Sequence, residues 1–353
     1  MAQTFFQHLR SNQTTRQTNL TSGDSDSSLS TLAETVFFSC FYLVISLTAM
    51  FGNLLVMVAI FVQSNLQTTS NYLLANLALT DFLQGFVSVP LRVAETLTWK
   101  TDVKLLCQIS IPLSILFGST SNVNILFISV ERFVAIFMPY FYYEAVTPNF
   151  IFAVIGTSWI MITVLALAPS VGLGGLNPSP PVTICRFTTL LSKEYITTLY
   201  IIVHFIPITT VILIYGFILR ASVNHNRRIH AQERFVVQPR NNEEVSNTKS
   251  TETLENTPED RRNSIKQMKA ARIVSFVVGF FIVLVVPIIV IDVVEMFGGP
   301  KAPSVLVKIA VCMIYTNHCV NVFVYAGCNR DYRRAFGKIF RKIREFFSKC
   351  DKQ

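Results

Sequence analysis

The sequence predicts an all-α membrane protein: a seven-transmembrane helix bundle with a short amphipathic interfacial helix after span seven. Three observations predict it. Of the 353 residues, 51% are hydrophobic and only 14% are charged, against about 25% charged in an average soluble protein, so lipid must solvate most of the chain. Seven stretches stay apolar over the roughly 20 residues that cross a hydrocarbon core. Lys and Arg crowd onto one side of this layout. Eleven fall between Arg220 and Arg272 and nine between Arg330 and Lys352, which with Arg132 make 21 of the 30. That excess marks the cytosolic face, so the C-terminus is expected inside and the N-terminus outside.

Residues 1–35 are rich in Ser, Thr, Asn and Gln and lack the apolar core of a cleavable signal peptide. They are expected to form a disordered extracellular tail, with the first span acting as its own insertion signal. Asn12-Gln13-Thr14 and Asn19-Leu20-Thr21 in this tail are glycosylation triplets. The bundle occupies residues 36–328. Its spans read Val36 to Val62, Tyr72 to Leu97, Ile109 to Met138, Phe150 to Leu173, Tyr195 to Leu219, Ile273 to Phe297 and Val305 to Gly327. A polar loop over about 222–267 is expected in the cytosol between spans five and six. Residues 329–353 form a cytosolic helix and tail, in which Tyr332, Phe336, Ile339, Phe340, Ile343, Phe346 and Phe347 recur at helical spacing among basic residues. Such a helix lies in the membrane interface. The net charge of +9 then reads as attraction to anionic lipid, and no nucleic-acid partner is expected.

The residues that break the apolar pattern carry the function. Span three ends in Glu131-Arg132-Phe133, and an ion pair at that depth must face a protein interior or a wet cleft. Asn53, Asp81, Ser121, Asn317 and Asn321 lie in spans one, two, three and seven, and converge if those helices are neighbours. A carboxylate such as Asp81 at mid-bilayer is neutral, hydrogen-bonded or holding a cation, which makes it a candidate sodium or proton site. Pro207 and Pro287 interrupt spans five and six and act as hinges. Cys107 and Cys185 both face the oxidising side and form the natural disulfide pair. Near the outer half, Ser114, His204, Asp292 and Tyr315 are the candidate ligand contacts, whereas Arg92, Glu95 and Glu295 are expected to snorkel to the interface.

In joint order and spacing, Gly52-Asn53, Leu77-Ala78-Leu79-Thr80-Asp81, Cys107 with Cys185, Glu131-Arg132-Phe133, Trp159, Pro207, Pro287 and Asn321-Val322-Phe323-Val324-Tyr325 resemble a rhodopsin-like (class A) G protein-coupled receptor. The stretch from Lys269 to Phe281 is similar to biogenic-amine and trace-amine receptors. The resemblance implies that Glu131 locks Arg132 at rest and that the freed arginine meets a heterotrimeric G protein, with arrestin and a receptor kinase as further partners. It implies that Tyr325 swings inward on activation, that Asp81, Ser121, Asn317 and Asn321 form a sodium pocket, and that Phe281 is the aromatic below the sixth-span proline. The plasma membrane is the implied location, and an unidentified extracellular small molecule the implied signal.

Departures from the pattern narrow this picture. Val285 stands where the family carries a tryptophan, Val322 where it carries a proline, and Asn122 where it carries an aliphatic residue. Ser114 replaces the aspartate that anchors cationic amines, and Tyr315 stands where opsins carry a retinal-linked lysine, so no retinal cofactor is expected. A membrane transporter using intramembrane carboxylates is the alternative, although internal repeats are lacking. His204 and His318 read as isolated, which leaves no constellation for an enzyme.

Overall fold

The computed structural model describes residues 2–98, 103–174, 185–236 and 258–350, and gives backbone alone for 2–30, 222–236, 258–274, 189, 346, 347, 349 and 350. Among the described residues all regular structure is helical. Seven helices are long and apolar enough to cross a membrane: α1 (Thr31–Val62), α2 (Thr69–Leu97), α3 (Lys104–Phe137), α4 (Pro148–Val171), α5 (Lys193–Ala221), α6 (Ser275–Met296) and α7 (Ser304–Cys328). An eighth, α8, runs Arg330–Cys350. Each span lies within a few residues of its expected position. The described backbone is helical from Ala2 into α1, where the sequence predicts a disordered tail, and the side chains of the triplets at Asn12 and Asn19 lie outside the described residues. Of the expected loop, 222–236 and 258–267 continue α5 and α6 as helical backbone and 237–257 lie outside the described residues.

Local chemistry starts three of these helices. Thr68, Thr147 and Ser192 sit in extended backbone, and each hydroxyl accepts from the amide three residues on, satisfying a donor that the first helical turn cannot. The centre of the bundle is α3, which packs on α2, α4, α5 and α6, while α1 packs on α2 and α7. Burial follows that placement: 61% of the apolar window of α2 is buried but only 17% of that of α4. The indole of Trp159 on α4 donates to Asn76 Oδ1 on α2 at 2.9 Å, tying the peripheral helix to the core.

Prolines leave two different marks. Pro207 is preceded by a π-helical turn over Ile201–Phe205, and Pro90 by another over Gln84–Ser88. Proline lacks an amide hydrogen and its ring collides with the carbonyl four residues back, so a wider turn in front of it relieves the clash. Pro112 and Pro287 instead sit inside their helices. Where Val322 replaces a proline, α7 runs without interruption.

Cys107 and Cys185 are bonded, with Cα atoms 5.1 Å apart. The bond pins the segment before α5 to the start of α3. Arg92 and Glu95 do not snorkel. Their side chains are 14% and 6% exposed, and they grip the same segment: Cys185 N–H donates to Glu95 Oε1 at 2.8 Å and Arg92 donates to the Cys185 carbonyl at 3.2 Å. Glu295 likewise turns inward, pairing with Arg186 at 2.9 Å and accepting from Ala302 N–H at 2.9 Å. A buried backbone amide and a buried charge each need a partner, and these side chains supply them.

Helix α8 docks one flank on the bundle. Tyr332, Ala335 and Phe336 are buried with Val56, Ala59, Ile60 and Tyr325, while Phe340 and Ile343 stay exposed.

Candidate functional site

At the inner end of α3, Arg132 is held as the sequence suggested and by more than its neighbour. Its Nε and Nη2 donate to the two carboxylate oxygens of Glu131, each at 2.6 Å. The pair is 12% and 4% exposed. Ser70 of α2 donates to Glu131 Oε1 at 2.7 Å and also contacts Arg132 Nη2. Tyr142, on the short helix Pro139–Ala145, donates to the same Oε1 at 2.6 Å. Burial, the Glu131 charge and this hydrogen bond push the Tyr142 phenol up to about 12. A buried charge pair survives only with such additional bonds, so Ser70 and Tyr142 belong to the clamp. Neither carries a signal in the sequence, because each joins through the fold. Phe133 faces away, ringed by Phe137 and Phe217 on the α5 side.

Halfway up the bundle, Asp81 is fully buried and carries three hydrogen-bond contacts. Ser121 Oγ donates to Oδ1 at 2.9 Å and Asn321 Nδ2 to Oδ2 at 2.7 Å. The third is His318 Nδ1, 2.7 Å from Oδ1. His318 is therefore not isolated: one helical turn before Val322, it faces α2 rather than lipid. Asn53 and Asn317 do not bond Asp81. The Asn53 amide instead donates to the carbonyls of Ala49 and His318, joining the network at one remove and leaving its Oδ1 without a partner among the described residues. Asn317 lies one position round the helix and lines the cavity above.

That cavity, about 1110 Å³ counting space open to solvent, is lined by all four expected ligand contacts, Ser114, His204, Asp292 and Tyr315. Tyr200 donates to Asp292 Oδ2 at 2.5 Å and Arg186 reaches Oδ1 at 3.3 Å. His204 stacks edge-on against Tyr200, and its Nδ1 has no hydrogen-bond partner among the described residues. Lys308 pairs with Glu34 at 2.9 Å, at the outer rim. Below the cavity, Phe281 and Val285 are buried beside Ile125 and Val211, so the valine fills the hinge layer with less bulk than an indole. Tyr325 is buried, stacked on Tyr332, and its hydroxyl has no partner among the described residues.

Seven apolar helices around a polar axis, a polar-lined outer cavity and a restrained inner arginine define a membrane receptor. The sequence matches the 7 transmembrane receptor (rhodopsin family) over residues 52–325, and the chain belongs to that family. It is a multi-pass membrane protein and a G protein-coupled receptor, and not an enzyme; the transporter alternative has no support. Among its relatives are the D(1A) dopamine receptor of Xenopus laevis, 24% identical across 91% of this chain and 76% of the relative. The octopamine receptor beta-2R of Chilo suppressalis is 26% identical across 84% and 78%. The human adenosine receptor A2a is 26% identical across 85% and 71%.

Proposed function

We propose that the protein is a plasma-membrane receptor whose outer cavity binds an extracellular small molecule and whose Glu131–Arg132 clamp, once opened, engages a heterotrimeric G protein. The N-terminus faces outward and the C-terminus the cytosol, as the Lys and Arg excess requires. The observation that carries this reading is the four-residue clamp: Arg132 held by Glu131, with Ser70 and Tyr142 closing over the carboxylate. A charged donor group tied this way is withheld from any cytosolic partner, and breaking the ties shifts a two-state equilibrium toward the form that presents it. Arrestin and a receptor kinase read the same inner face, with α8 resting on lipid.

Relatives named for dopamine, octopamine and adenosine support a small ligand, and the cavity offers convergent polar groups in an apolar lining for one. Ser114 on α3 offers a hydroxyl and no charge, so the charged contacts come from α2, from α6 and from the segment before α5. Arg92, Glu95, Asp292 and Arg186 are those groups.

The test is ligand-free nucleotide exchange in membranes holding the receptor and a promiscuous G protein. Glu131→Gln is expected to raise exchange several-fold. Adding Arg132→Ala to that chain is expected to return exchange to background with surface delivery unchanged. Exchange that survives the arginine loss would refute the assignment.

A further inference from the structure

The family pattern implies a sodium ion at Asp81, and the residues here do not fit one. A hard cation is bound by converging oxygen ligands. Around Asp81 the third contact is a nitrogen, His318 Nδ1, 2.7 Å from Oδ1. At that separation a hydrogen lies between the two atoms whichever of them carries it. That nitrogen therefore has no lone pair to offer a metal. The Oδ1 atom already accepts from Ser121, and Oδ2 from Asn321, so both carboxylate oxygens are engaged by protein. Nor do the asparagines complete a shell. The Asn53 amide is turned to two carbonyls and Asn317 makes no bond to Asp81. Asn53 Oδ1, a single amide oxygen, has no partner among the described residues, and one such oxygen does not make a cation's shell. The imidazole is itself buried, 5% exposed beside a carboxylate that is not exposed at all.

From this geometry we infer that His318 takes the place of the cation, so that Asp81 is held by an internal side chain and the receptor does not respond to sodium. An ion that binds one state of a bundle biases its equilibrium only while it can enter and leave. A covalently tethered ring cannot leave. His318 also lines the floor of the outer cavity, so the residue that anchors Asp81 is one that a bound ligand approaches. The group that an ion would have occupied becomes a fixed positioning residue between cavity and core. The inference is independent of the proposed ligand and of G protein coupling, because its readout needs neither.

The test is the thermal midpoint of purified full-length receptor in a sodium chloride series against choline chloride at matched ionic strength. The native protein is expected to give coincident curves. His318→Ser, which frees the carboxylate and supplies a hydroxyl oxygen, is expected to gain a sodium-specific rise of about 2–4 °C at saturation, abolished by adding Asp81→Asn. His318→Asn serves the same purpose if the serine variant does not fold. A sodium-specific rise in the native protein that Asp81→Asn removes would overturn the inference, whatever the variants do. Flat curves in a folded His318→Ser protein would overturn it too, since the imidazole would then not be what keeps sodium out.

Discussion

Glu131 accepts hydrogen bonds from three side chains that come from three different elements, which makes its carboxylate the narrowest point in the proposed mechanism. The adjoining Arg132 is legible in sequence because charge at membrane depth is rare and needs a reason. Ser70 lies 61 residues away and Tyr142 eleven, and nothing local marks either as a partner. His318 is silent in the sequence for the same cause, 237 residues from Asp81. Tyr142→Phe removes one bond to a charged acceptor at a half-buried site. Ligand-free exchange is expected to rise about threefold to tenfold in that variant, less than for Glu131→Gln. Its raised pKa favours the neutral phenol in the folded protein, so the contribution is complete below the ordinary value of 10 and is lost as pH climbs toward about 12. A tyrosinate absorbance difference between native and variant should therefore appear only near the top of that window. Its appearance at neutral pH would mean that the phenol is not held by Glu131.

At the level of helices, sequence pattern located every span and both ends of the disulfide, because apolar length and compartment decide those. It did not locate the π turns. Pro207 and Pro90 both break the apolar helical pattern, and in each case the structure answers with a widened turn placed before the ring. In α2 that turn brings Gly85 against α1. Ser46 Oγ donates to the Gly85 carbonyl at 2.7 Å, and a Cβ at Gly85 would sit 2.7 Å from that of Ala49. Contact that close between two backbones leaves no room for a side chain. Gly85→Val is expected to cost about 1–3 kcal/mol and to lower the thermal midpoint of the purified receptor. An unchanged midpoint would show that α1 and α2 do not pack this closely. The inward turn of Arg92 and Glu95 is the other lesson at this scale. Taken alone they are interface residues, and only the pinned Cys185 segment gives them something to hold.

Across the whole molecule the polar groups form two linked stations along one axis. The outer station is the cavity, with His318 in its floor; the inner one is the clamp at Arg132. Between them lie Asp81, Asn321 and the apolar layer of Phe281 and Val285, and the buried Tyr325 hydroxyl has no partner among the described residues, a group left unsatisfied in this arrangement. Such a bundle is held closed by a few specific bonds at its inner end, and that is the claim on which the functional reading turns. The most direct test is a spin-label distance between positions 137 and 276, both exposed at the inner ends of α3 and α6, in a chain with Cys40, Cys328 and Cys350 replaced by serine. The native receptor is predicted to give one dominant distance, and Glu131→Gln to add a longer one at its expense. Identical distance distributions in the two folded proteins would contradict the account.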